Sequence, residues 1–133
     1  MSSNGQTVYV AAIVGQKIYV YDRDRNTGDL FLRSTIKAGT GVDNIEIDQR
    51  GDLWIGSHPK LLTYVKYSKD PKVLSPSQVI KVTIKESGQY TIKEIYLNNG
   101  KPLSGSSVAA VYENTLLIGS VFDEHFLLCN LQN

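Results

Sequence analysis

The chain is 133 residues long, enough for one domain with a real core. Fourteen Lys and Arg stand against thirteen Asp and Glu, a net +1, so neither nucleic acid nor an anionic membrane is favoured as a partner. No apolar run approaches the ~20 residues that cross a bilayer, and "MSSNGQTVYV" has neither region of a signal peptide; it reads as a cut made just before a strand.

From there the chain alternates apolar and polar residues with a period of two almost throughout, the mark of half-buried strands. "TVYVAAIV", "KIYVYDRD" and "LFLRSTIK" come first, rich in Val, Ile and Tyr. Asn4-Gly5 and Asn26-Thr27-Gly28-Asp29 supply turn chemistry around them. After "AGTG" follows "GVDNIEIDQRGDLWIGSHP", residues 41–59, two alternating runs hinged at Arg50-Gly51-Asp52. The first run opens on Asp43-Asn44 and the second closes on Ser57-His58, four hydrophilic groups at the ends of strands that want burial. Read alone, Asp43-Asn44 starts a strand after a loop, and His58 is a hydrogen-bonded histidine held by Pro59.

"LLTYVKYS" reads as another strand. In "QVIKVTIKE", Ile80, Val82 and Ile84 share one face, and Lys81, Thr83 and Lys85 the other. These lysines fit a solvated sheet face or a protected edge. "YTIKEIYLN" ends at Asn99-Gly100. The spacing predicts about eleven short strands and no helix longer than a turn or two, an all-β chain.

Several short signals carry little. "RGD" at 50–52 is a tight hairpin in which glycine permits positive φ, rather than an adhesion sequence. "GSS" at 105–107 is not a nucleophile elbow, because Ala109 occupies the last position. "GTGVDN" lacks the third glycine of a dinucleotide loop, and no Asn-x-Ser/Thr acceptor is present. Cys129 is the only cysteine. It is either a small buried hydrophobe or half of a disulfide whose mate is not in this chain.

An internal echo organises the whole. "VYVAA" at 8–12, "LWIGS" at 53–57 and "LLIGS" at 116–120 share one form, three large residues followed by two small ones. "DNIEIDQRGDLWIGS" aligns without gaps to "SSVAAVYENTLLIGS", placing Asp43-Asn44 over Ser106-Ser107. Four strands per ~40–50 residues suits a β-propeller blade. Residues 7–37 then hold three strands without an innermost one, 42–98 a complete blade, and 106–131 three strands without an outermost one. That is about three blades, where a ring needs four to eight.

The motifs "VDNIEID", "GDLWIGSHP", "SGSSVAAVY" and "LLIGSVF", with "QKIYVYDRD" before them and Cys129 after, resemble the serum paraoxonases. These are calcium-dependent lactonases and arylesterases with six-bladed propellers, and the likeness covers about the C-terminal half of such a protein. The resemblance implies that Asp43 and Asn44 begin an innermost strand and ligate the catalytic Ca²⁺ in a central tunnel. Both side chains can reach one ion only where the backbone is bent or bulged at the strand's start. It further implies that His58 lines the substrate cavity without being the principal base. Ser107, Val121 and Val65 match the pocket wall, and an aromatic residue is usual where Val65 stands. Cys129 matches one half of the disulfide that fastens the ring. The family's catalytic histidine pair and the other calcium ligands fall outside this chain, which supplies no catalytic residue. His125 receives no role.

Two readings follow. One is part of a paraoxonase-like ester or lactone hydrolase, inactive alone and completed by an N-terminal half. The other is a non-catalytic propeller-derived module that pairs with a second copy of itself or another partner. The resemblance implies an extracellular or luminal setting, although the chain shows no targeting signal.

Overall fold

The structure is a computed structural model that describes residues 1–131. Among them are ten strands: β1 (Thr7–Ala12), β2 (Lys17–Arg23), β3 (Leu30–Lys37), β4 (Gly41–Ile47), β5 (Leu53–His58), β6 (Gln78–Ile84), β7 (Tyr90–Leu97), β8 (Ser106–Tyr112), β9 (Thr115–Ser120) and β10 (Leu127–Asn130). One short helix, α1 (Leu61–Tyr67), follows β5. Every strand pairing is antiparallel. The strands form three sheets in the orders β1-β2-β3, β4-β5-β6-β7 and β10-β9-β8, so the chain is all-β.

The second sheet is buried on both faces. Val42, Leu53, Ile55, Ile80 and Val82 meet Ile18, Val20 and Ile36 of the first sheet. Trp54 and Val79 point the other way, against Ala109, Leu116 and Ile118 of the third. All six residues of β5 are buried, because alternate side chains enter different cores. Each buried aliphatic side chain contributes roughly 1.5–3 kcal/mol. These two interfaces fix the order of the stack.

The segment "LLTYVKYS" is helix α1, not a strand, which accounts for ten strands instead of about eleven. Pro59 interrupts the extended run, and Leu61, Tyr64 and Tyr67 then recur every third residue, on one face of a helix. Tyr67 is fully buried, and its hydroxyl donates to Ser104 O at 2.9 Å. That buried anchor overrides the β propensity of the segment.

The ungapped echo between the two hairpins is not an identity of register. In β4–β5, Ile47 pairs with Leu53, and Asp48 N donates to Asp52 O across residues 49–51, with Gly51 at φ +83°. In β8–β9, Tyr112 pairs with Thr115 across only two residues. The turns therefore offset the aligned pairs by one position, and each register shifts again at the opposite end.

The "RGD" turn is built inward. Asp48 accepts from Arg50 N at 2.9 Å, Asp52 N at 3.0 Å and Trp54 Nε1 at 2.9 Å. Asp52 is buried, 2.6 Å from Lys81 Nζ. Burial pushes its carboxyl up, but hydrogen bonds from Lys81 and Thr83 and the charges of Lys81 and Arg50 outweigh this and leave it below its usual value. A depressed carboxyl stabilises the fold above its ordinary value of about 3.9 and loses that contribution as pH falls through the folded value. Asp52→Asn is therefore expected to cost about 1–2 kcal/mol near pH 7 and distinctly less near pH 2. Urea unfolding at the two pH values checks this, and an equal loss at both would contradict it.

Candidate active site

The hydrophilic ends of β4 and β5 meet at one end of the stack, because Gly41 pairs with His58 and Val42 with Ser57. The register then shifts: Ile45 pairs with Ile55, so Asp43 and Asn44 together stand opposite Gly56. This is a β-bulge, an extra residue that re-aims side chains. Both residues line one groove of about 400 Å³, whose other wall is Tyr9, Val10, Ala11 and Ile13 from β1 and the turn after it. β8 has its own shift between Ser106 and Val108, so both bulges fall where the sequence echo aligns Asp43-Asn44 with Ser106-Ser107.

Asp43 and His58 form the polar centre. His58 Nε2 lies 3.3 Å from Asp43 Oδ2, with His58 fully buried and Asp43 partly open. The imidazole stacks on Tyr64 of α1, ring centroids 3.6 Å apart. His58 Nδ1 is buried without a partner. A proton on Nε2, donated to Asp43, leaves Nδ1 a bare acceptor instead of an orphaned donor, the smaller cost. Burial, and behind it the charge of Asp43, raises the Tyr64 phenol above its ordinary value.

Asn44 reaches the third sheet, where its Nδ2 donates to Ser107 O at 3.1 Å. That bond directs the amide nitrogen at the backbone and turns the carbonyl oxygen away from it. Beneath lies a buried serine network: Ser106 Oγ accepts from Gln78 N at 3.0 Å and has two acceptors for its one proton, Gln78 O at 3.0 Å and Ser57 O at 3.2 Å, and Ser106 N donates to Ser77 Oγ at 2.9 Å. These bonds tie the second sheet to the third directly below the bulge.

The remaining expected positions are more dispersed. Val65 lies on the outer side of α1, 42% exposed, and Val121 follows β9, 41% exposed, with its N–H donating to Gly105 O at 3.3 Å. Cys129 lies on β10 opposite Leu116, a free thiol packed against the Trp54–Leu116 core. His125 Nε2 is 2.9 Å from Pro102 O and turned to the backbone. Among the described residues no three His, Cys, Asp or Glu side chains come together as a metal cluster, and no helix is long and apolar enough to cross a membrane. Sequence reasoning missed Tyr64 and Tyr67, since both depend on a helix that the alternation concealed. It also missed Tyr9, whose place on the groove depends on how the first two sheets pack.

Comparison of the sequence with known proteins identifies the family of this stack of antiparallel sheets, which gathers a carboxylate, an amide and an imidazole at one end. The Arylesterase family profile matches residues 1–131, and the chain belongs to that family. It is 37% identical over 133 residues to serum paraoxonase/arylesterase 1 of Homo sapiens and 36% identical over 135 residues to serum paraoxonase/arylesterase 2 of Rattus norvegicus. It is 34% identical over 132 residues to serum paraoxonase/lactonase 3 of Homo sapiens. Each alignment covers 98% of this chain but only 36% of the relative. The chain thus spans just over a third of these proteins, less than the half expected from the motifs.

Proposed function

We propose that these residues are part of a propeller-type, calcium-dependent carboxylic ester hydrolase, an arylesterase or lactonase, to which they contribute metal ligands and cavity wall. The observation that carries this reading is the bulge at Asp43-Asn44, which sets a carboxylate and an amide on one groove beside His58. Hard oxygen donors of this kind suit Ca²⁺. Two donors out of the six to eight that the ion takes hold it weakly, so the other ligands come from outside these 133 residues. The three stacked sheets, with His58, Asp43, Asn44 and Ser107 at one end, are compatible with neighbouring blades around a tunnel.

When bound, calcium would polarise the ester carbonyl and stabilise the charge that develops there. The side chains of this chain would bind and orient. Asp43, held by His58, presents its carboxylate in a fixed direction. Ser107 O fixes the Asn44 amide. Tyr9, Val10 and Ile13 give the groove an apolar wall for the hydrocarbon part of a small ester or lactone. His58, stacked on Tyr64 and tied to Asp43, positions these groups and does not act as the base. A water-activating histidine pair is not part of this contribution. Val65, where the family usually has an aromatic residue, stands on the outer side of α1 and not on this groove, so a place for it on the cavity wall would depend on residues outside these 133. Cys129 would pair with a cysteine elsewhere in a full-length protein, consistent with an extracellular or luminal setting.

Calorimetric titration with CaCl₂ and a phenyl acetate assay test this reading. The 133-residue chain is expected to bind calcium no tighter than about 10⁻⁴ M, to lose that binding in Asp43→Ala, and to hydrolyse ester no faster than buffer. Calcium-dependent turnover by the purified chain, or binding untouched by Asp43→Ala, would refute it.

A further inference from the structure

His58 is fully buried, yet hydrogen bonding hardly fixes its ring. Nε2 lies 3.3 Å from Asp43 Oδ2, long for a nitrogen and a carboxylate, and Nδ1 has no partner among the described residues. One long contact does not choose between two ring orientations. Half a turn about the Cβ–Cγ bond would leave a carbon facing Asp43 and point Nε2 away. Tyr64 blocks that turn. Its ring is stacked on the imidazole, with centroids 3.6 Å and planes 21° apart. To turn over, the imidazole must pass edge-on through space that the phenol ring fills.

Tyr64 depends in turn on α1, and α1 does not hold itself. It has seven residues and no side-chain cap from Lys60, too short to persist alone in water. Its anchor is Tyr67, whose ring centroid is 6.4 Å from that of Tyr64. On its far side the Tyr67 ring stands edge-on to Phe122, centroids 5.1 Å apart. The phenol and the loop after β9 share one support. Ser104 O accepts from the Tyr67 and Ser120 hydroxyls. Ser120 Oγ accepts from Phe122 N at 3.3 Å and Asp123 N at 3.2 Å, and Asp123 Oδ2 accepts from Ser104 N at 2.7 Å. Phe122 itself is 42% exposed. A continuous line of rings therefore runs from an open loop to the imidazole beside Asp43.

We propose that Phe122, Tyr67 and Tyr64 form an aromatic spine that positions Asp43 through His58. Tyr64 is the positioning residue in contact with the imidazole, and Phe122 is the outer end of the spine. The loop after β9 thereby sets the direction of a carboxylate that it does not touch. A hydrocarbon group packed on the open face of Phe122 is felt at Asp43 by the same route. The role of Asp43 as a metal ligand rests on the calcium reading above; the orientation of His58 does not.

NMR of the calcium-free 133-residue chain tests this, by following exchange of the His58 Nε2 proton with water. The buried, donating proton is expected to exchange slowly. Tyr64→Leu should speed its exchange about tenfold and Phe122→Ala about threefold, the range that a stacked or edge-on aromatic pair supports. Tyr64→Phe keeps the ring and should exchange as slowly as the unmodified chain, which separates ring stacking from any effect of the hydroxyl. Exchange unchanged in Tyr64→Leu or in Phe122→Ala overturns the spine. So does a rise in Tyr64→Phe equal to that in Tyr64→Leu, or an Nε2 proton already in fast exchange in the unmodified chain. A CaCl₂ titration of the same samples tests the other reading separately: calcium that binds none of them refutes the metal role of Asp43 and leaves the exchange result standing.

Discussion

Gly56→Ala is expected to lower stability by about 3 kcal/mol or more, among the largest effects of any single methyl group in this chain. A Cβ at residue 56 would lie 2.4 Å from Ser107 C and Val108 N and 2.8 Å from Ser107 O. Those are backbone atoms of β8, which can withdraw only if the second and third sheets separate. Overpacking against movable side chains costs about 1–3 kcal/mol; a rigid strand places this case at or beyond the upper end. Gly56 is also the residue opposite the Asp43-Asn44 bulge, and Ser107 O holds Asn44, so separation would dismantle the candidate calcium side as well. Gly88→Ala is the control. Gly88 has φ +82° in an exposed turn with no atom near its Cβ, so only the left-handed backbone cost of ~1–2 kcal/mol applies. Urea unfolding of both variants reads the difference; equal losses would mean that the close approach of the two strands does not exist.

The strands were legible because period-two alternation reports burial directly. "QVIKVTIKE" placed Ile80 and Val82 on one face, and both are in the core between the first two sheets. The same alternation misled at "LLTYVKYS", where apolar residues are dense enough to satisfy either period over so short a span. Pro59 and the spacing of Leu61, Tyr64 and Tyr67 were the available signals. The bulge was foreseen only as a requirement, since two adjacent side chains cannot otherwise share one ligand. Its position opposite Gly56 depends on the register of the whole hairpin, which turn length sets and sequence echo does not. The pairing of His58 with Asp43 was invisible for a related reason: the two residues are 15 apart in sequence and meet only through that register.

Tyr67→Ala is expected to cost about 3–5 kcal/mol and to loosen the wall of the candidate site with it. Tyr67 is fully buried, and its ring stands edge-on to Phe122 with centroids 5.1 Å apart. Its hydroxyl donates to Ser104 O at 2.9 Å and lies 3.1 Å from Ser120 Oγ. Gly105, at φ +59°, passes so close that a Cβ there would be 2.2 Å from the ring. The chain is thus moulded around this phenol, and truncation leaves a cavity that a seven-residue helix cannot fill by itself. Tyr64 precedes Tyr67 by one helical turn and carries the stack on His58, so freeing α1 also frees the imidazole that orients Asp43. Tyr67→Phe separates the two contributions. It keeps the ring and should cost only about 1–2 kcal/mol for the lost hydrogen bonds. Urea midpoints of the two variants, with hydrogen exchange of the α1 amides, check the ordering. A loss below about 1 kcal/mol for Tyr67→Ala would show that α1 is not anchored here, and its hold on His58 would have to come from elsewhere.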